Sequence, residues 1–135
     1  IDAIKLSKMN AKENDVKLEF INADILNYKS DKKYDIIVSN PPYVLELEKK
    51  NMSKNILDYE PELALFVKND DPLKFYKAIL DFSKNSLNKN GKIYFEINEK
   101  FGKEIINLLK EIGFVNIELK KDINGKDRMV KAMCK

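Results

Sequence analysis

Histidine and tryptophan are absent from the 135 residues, and cysteine occurs once, at Cys134. Without histidine there is no Ser-His or Cys-His catalytic pair, and a transition-metal centre loses its commonest ligand. A lone cysteine cannot close an internal disulfide, which fits a reducing, cytoplasmic setting. No apolar run is long enough to cross a bilayer and no signal-peptide pattern is present, so no membrane partner is expected. Charge of one sign is also missing. Lys and Arg number 25 against 22 Asp and Glu, a net +3 spread along the chain. That pattern reads as solvated faces, and direct nucleic-acid binding is not expected from it.

What is present suits one globular domain: 44% hydrophobic and 35% charged residues in a chain long enough to bury a core. The chain opens on Ile1, with Ala3, Ile4, Ser7 and Ala11 already at helical spacing, so we read it as part of a longer protein. Val16, Leu18 and Phe20 alternate with charged residues and predict a strand. Tyr34-Asp35-Ile36-Ile37-Val38 predicts a buried parallel strand, stopped by Pro41-Pro42. Residues 44–71 lack periodicity and predict a long loop with short helical turns. Pro72 opens a helix marked by Tyr76, Ile79, Leu80, Ser83 and Leu87, and Asn90-Gly91 ends the connection to a strand over residues 92–97. Ile105, Leu108, Leu109 and Ile112 mark a further helix capped by Gly113. Two closing strands flank a turn at Asn124-Gly125. The alternation implies an α/β fold whose mostly parallel sheet ends in an antiparallel hairpin.

Asn40-Pro41-Pro42-Tyr43 follows the carboxyl end of a strand, where open α/β sheets place their sites. It resembles the motif of the amino-methyltransferases, whose targets are planar nitrogens conjugated to a π system. Such a nitrogen is a poor nucleophile until two acceptors hold its protons and free its lone pair. The Asn40 side-chain oxygen and the Pro41 carbonyl suit those roles. Pro42 keeps Pro41 extended and neither proline nitrogen donates. Tyr43 can pack on the flat face of the target. Alignment then supplies much of the acceleration.

The surroundings narrow the resemblance. Asn-Pro-Pro-Tyr-Val is followed by Tyr59-Glu60-Pro61-Glu62-Leu63-Ala64-Leu65, by Asp71, Leu73 and Phe75-Tyr76, by Gly91 to Ile97, and by Lys121 to Arg128. Together these resemble the HemK/PrmC family, which methylates the Gly-Gly-Gln glutamine of peptide-chain release factors. The resemblance covers essentially the whole chain. It implies a Rossmann-like class I fold, here incomplete, since the first strands and the Gly-rich cofactor loop are missing, with residues 1–135 forming a partial catalytic domain. It implies S-adenosylmethionine as cofactor, a release factor as protein partner, and Asn40 and Pro41 as catalytic residues. Pro42, Tyr43 and Glu60 join them as substrate-binding candidates. Asp24, Ile25 and Asn40 are cofactor-binding candidates, Asp24 through the adenine amine; no metal is expected. Glu96, Asp122 and Arg128 are read chiefly as structural. Pro72 and Asn98 stand where the family commonly has glycine.

Other readings carry over. Exocyclic adenine N6 or guanine N2 in nucleic acid presents a similar nitrogen, and so does a ribosomal-protein glutamine. A non-catalytic binding fragment is the reading from another class; without the Gly-rich loop the 135 residues alone are expected to be inactive. In the family's strand order, 3-2-1-4-5-7-6, the segment 16–20 would be strand 3 and 34–39 strand 4. With the intervening strands missing, those two are expected to pair directly or the chain to self-associate.

Overall fold

The structure, a computed structural model, describes residues 2–135. Helix α1 (Asp2–Glu13) opens it and buries Ala11. Strand β1 (Tyr34–Ser39) runs into the Asn-Pro-Pro-Tyr turn. The long loop then holds a two-residue strand β2 (Val44–Leu45), a 3-10 turn (Glu46–Asn51), α2 (Lys54–Tyr59), α3 (Glu62–Leu65) and β3 (Phe66–Val67), with β2 and β3 paired in parallel. Helix α4 (Lys74–Ser86) leads directly into β4 (Leu87–Glu96). A 3-10 turn (Glu99–Phe101), α5 (Gly102–Ile112), β5 (Val115–Lys121) and β6 (Asp127–Met133) complete the chain.

The main sheet has the order β1-β4-β6-β5. β1 and β4 pair in parallel, while β6 runs against both β4 and β5. Three strands therefore share one direction, and the reversed one sits inside the sheet. This matches the expected 4-5-7-6 half of the family order.

The core lies between this sheet and helices α4 and α5. Ile93, Phe95, Val130 and Ala132 face Tyr76, Ile79, Leu80, Ile105 and Leu109, all buried. The aromatic residues of α4 belong here: Tyr76 meets Phe95 edge-on, with ring centroids 5.2 Å apart. α5 ends because Gly113 adopts φ 101°, a left-handed conformation that costs glycine little, and its N–H returns to the Leu109 and Lys110 carbonyls. No helix among the described residues is long and apolar enough to cross a membrane.

Three expectations are corrected. Residues 16–20 form no strand. They run extended, with Val16 48% and Leu18 61% exposed. Alternation supplies a side-chain pattern, but a strand also needs a neighbouring strand to accept its backbone bonds, and among the described residues none lies beside this segment. The direct pairing of 16–20 with β1 is accordingly not formed. β1 stands at the sheet edge with Ile36 57% and Val38 75% exposed. Finally, Asn90-Gly91 does not end a connection, since β4 already begins at Leu87. The strand bulges there: two steps of β1, Tyr34 to Ile36, face five of β4, Leu87 to Lys92. Asn90 takes φ 64°, and Cys134 closes the bulge, accepting from the Asn90 N–H at 3.1 Å and donating to the Gly91 carbonyl at 2.8 Å. A Cβ on Gly91 would lie 2.8 Å from the Asn88 carbonyl oxygen, so only glycine fits.

Candidate active site

The Asn-Pro-Pro-Tyr turn begins where β1 ends, and each residue has a distinct environment. Asn40 is exposed, and its side chain makes no hydrogen bond among the described residues. Pro41 is buried, and Pro42 and Tyr43 are half-buried. Two clefts meet at this turn, on opposite faces of the sheet. One, of about 330 Å³, is lined by Ile25, Ile37, Pro41, Pro42, Phe75 and Phe82, among others. The other, of about 660 Å³, includes Asn40 with Val38, Tyr94, Glu96, Met129 and Lys131. Ile25 is thus brought to the two prolines, although they are well separated in sequence.

Tyr43 is tethered from β4. Its hydroxyl donates to the Glu96 carboxylate at 2.5 Å. Burial, and then that bond, push the Tyr43 hydroxyl up to about 12, so it stays a donor throughout the neutral range. The Glu96 carbonyl in turn accepts from the buried Tyr76 hydroxyl at 2.9 Å. Glu96 is therefore a structural anchor of the site.

The other sequence-selected residues are placed as follows. Asp24 is exposed at the head of a turn. Its carboxylate accepts from the Leu26 N–H at 3.0 Å and from the Asn27 amide at 3.3 Å. One carboxylate still has acceptor capacity left for another donor. Glu60 caps α2 through its own N–H to the Ile56 carbonyl, with its side chain exposed and unbonded among the described residues. Nothing in the packing draws Glu60 to Asn40. Arg128 pairs with Asp122 at 3.3 Å and donates to the Ile97 carbonyl at 3.1 Å. Asp122 also accepts from the Asn124 and Lys126 N–H groups, so this pair stitches the hairpin to the end of β4. No cluster of acidic or thiol side chains able to hold a metal occurs among the described residues.

Sequence reasoning missed Asn98 and Glu48. Asn98, only 6% exposed, donates to the Tyr43 carbonyl at 3.2 Å and to Glu48 at 3.0 Å. Glu48 accepts from the Leu45 N–H at 3.0 Å and pairs with Lys100. Burial works against charge on Glu48, but bonds from Lys100, Leu45 and Asn98 outweigh it and hold the carboxyl below its usual range. With Val44, Leu47 and Met52 these groups line a third cleft, of about 310 Å³. A departure at position 98 was visible in the sequence; its partners, some 50 residues away, were not.

A family model described as the methyltransferase small domain matches residues 1–63. A protein of Flavobacterium psychrophilum named release factor glutamine methyltransferase is 49% identical over 130 residues, 96% of this chain and 46% of that protein. A namesake in Bacteroides thetaiotaomicron is 42% identical, over 97% of this chain and 48% of its own length. A bifunctional methyltransferase of Rickettsia bellii is 36% identical over 96% of this chain and 24% of that protein. The chain thus spans about half the length of the release-factor namesakes it matches. A crystal structure of a protein-(glutamine-N5) methyltransferase from Alicyclobacillus acidocaldarius overlaps 52% of this chain at 22% identity and a TM-score of 0.40, too slight a likeness to bear on the fold. With β1 leading into Asn-Pro-Pro-Tyr, the reversed β6 inside the sheet and identities of this order along nearly all its length, the chain belongs to the HemK/PrmC family of methyltransferases.

Proposed function

We propose that the protein transfers a methyl group from S-adenosylmethionine to the side-chain amide nitrogen of a protein glutamine, in the Gly-Gly-Gln segment of a release factor, and that residues 1–135 are the part of its catalytic domain that holds the target nitrogen. The observation that carries this is the Asn-Pro-Pro-Tyr turn at the end of β1, buried at Pro41, open at Asn40 and tethered at Tyr43. The names and identities of the relatives support it.

The turn's own residues account for the chemistry. Asn40 Oδ1 and the Pro41 carbonyl accept the two amide protons, drawing the nitrogen out of conjugation. With Pro42 behind it, Pro41 cannot rotate its carbonyl away. Tyr43 bounds the amide plane, Pro42 closes the pocket beside it, and Glu60 would meet the substrate further out. Held at its adenine end by Asp24 and Ile25, the cofactor would supply an electrophilic sulfonium methyl to that nitrogen and would leave as the thioether. The nitrogen, no longer an amide nucleophile but a cation after methyl transfer, then loses one proton to water at the open, Asn40 side of the turn.

The residues fit one end of that cofactor. The cleft beside Ile25 is apolar and walled by Phe75, Phe82 and the prolines, which suits a flat purine, and Asp24 adjoins it with spare acceptor capacity for an exocyclic amine. No glycine precedes Gly91, so the fit stops at the adenine end.

Mass spectrometry of a release factor incubated with the intact protein and S-adenosylmethionine tests the reading. A gain of one methyl on the Gly-Gly-Gln glutamine is expected. Methylation of a nucleic-acid amine, or of a ribosomal-protein glutamine, with none on that residue would overturn it.

A further inference from the structure

Tyr43 and the backbone that follows it are gripped at three points by residues that the chemistry above does not use. The Tyr43 hydroxyl is held by Glu96, its carbonyl by Asn98, and the Leu45 N–H by Glu48. Asn98 links the last two, because the same amide nitrogen that donates to the Tyr43 carbonyl donates its second proton to Glu48. Its oxygen accepts from the Lys100 N–H at 3.0 Å. A primary amide has two donors and an acceptor, and here every one of these functions is engaged. Aspartate could not donate, serine could donate only once, and glycine would leave the Tyr43 carbonyl without its donor and Glu48 with one fewer.

Asn98 is itself on a firm base. The Ile97 N–H bonds to the Arg128 carbonyl at 2.9 Å, Arg128 donates back to the Ile97 carbonyl, and Tyr76 holds the carbonyl of Glu96. Two prolines separate Tyr43 from Asn40. Each has a fixed φ, and the first is further restricted by the second. A displacement of Tyr43 therefore passes back to the Pro41 carbonyl and Asn40 with little lost in bond rotation.

We infer that Asn98, backed by Glu48, is a positioning residue: it fixes the chain leaving the turn and thereby sets the aim of the Pro41 carbonyl and of Asn40 at the target nitrogen. This rests on the methyl-transfer reading above. Asn98 touches no reacting atom; it acts by restricting where the acceptors point, and misplacement by a fraction of a bond length is enough to slow a reaction that depends on alignment.

Asn98→Asp in the intact protein tests the inference, since aspartate keeps the acceptor for Lys100 and loses both donations. Two quantities are read: turnover on a Gly-Gly-Gln substrate, and amide hydrogen exchange at Leu45. Turnover should fall about tenfold or more, with KM for substrate and affinity for cofactor within about twofold. Exchange at Leu45 should speed up about tenfold as Glu48 loses its bond from Asn98 and is held by Lys100 alone. If aspartate prevents folding, Glu48→Ala, at a half-buried position, removes the carboxylate that backs Asn98 and should give the same fall in turnover, with KM and cofactor affinity within about twofold. Turnover and Leu45 exchange both within twofold of wild type, or turnover falling while Leu45 is unchanged, would overturn the inference. If the wild-type protein methylates no glutamine, the functional reading fails on its own, and Leu45 exchange still decides whether Asn98 anchors the turn.

Discussion

Asn40→Ala should separate activity from stability. The Asn40 side chain is exposed and bonds to nothing among the described residues, so its removal leaves no buried group unpaired. Surface changes of that kind alter stability by about 0.5 kcal/mol or less. Its proposed work is done only when a target amide is present. Loss of one preorganised hydrogen-bonding partner in a reacting site costs about 2–4 kcal/mol of transition-state stabilisation. At about 1.36 kcal/mol per decade that is roughly a 30- to 1,000-fold slower methyl transfer. Single-turnover methylation of a Gly-Gly-Gln substrate by the intact protein, with urea unfolding alongside, measures both sides. Unchanged transfer would remove Asn40 from the mechanism. A large fall in stability would mean that the residue carries structural weight its surroundings give no sign of.

The 135-residue chain by itself should bind S-adenosylmethionine more weakly than micromolar, about 8 kcal/mol, because only the cleft beside Ile25 and the Asp24 carboxylate are offered to it; a stoichiometric micromolar site by calorimetry would contradict this. Leu80→Ala, at a fully buried position in α4, should cost about 2–5 kcal/mol in chemical denaturation, and a loss under 1 kcal/mol would mean that the packing between α4 and the sheet is loose. Gly91→Ala should cost about 1–3 kcal/mol, since the contact it creates is with backbone that cannot swing aside. Tyr43 gives a pH signature. Its hydroxyl is raised, by burial first and then by the Glu96 bond, from the ordinary value near 10 to about 12, so its contribution is complete below 10 and fades as pH climbs to 12; Tyr43→Phe should flatten that part of the stability profile, and an unaltered profile would show that the Tyr43 hydroxyl is not held protonated by its surroundings. The open edge of β1 should make the 135-residue chain self-associate, with Val38→Lys favouring monomer in sedimentation.

The elements that could be read from the sequence were those whose local pattern and long-range setting agree. β1 has branched residues and a double proline to stop it, and α5 has a stripe of Ile and Leu and a terminal glycine; neither needs knowledge of a distant partner. The segment at 16–20 has the right alternation, yet pairing is decided by what lies beside it, and among the described residues no strand does. At Asn90-Gly91 the local preference of Asn-Gly for a turn gives way to a bulge, because Cys134 reaches in from more than 40 residues along the chain to complete the ladder. In the site, Asn40 to Tyr43 could be recognised as a contiguous motif. Asn98 could not, because a lone asparagine after a strand says nothing until Tyr43 and Glu48 are seen on either side of it.

The reversed strand has a bearing on how the molecule is made. β6 follows β5 in the chain but lies between β5 and β4. During synthesis β5 therefore leaves the ribosome with no partner, and β4 waits with one side unsatisfied until residues 127–133 have emerged. The hairpin forms quickly from neighbours in sequence, whereas its docking onto β4 closes a much longer loop. Until that docking, Ile93 and Phe95 lack one flank of their final packing. The two parts of the described sheet, β1 with β4 and β5 with β6, can be joined only once residues 127–133 have been made.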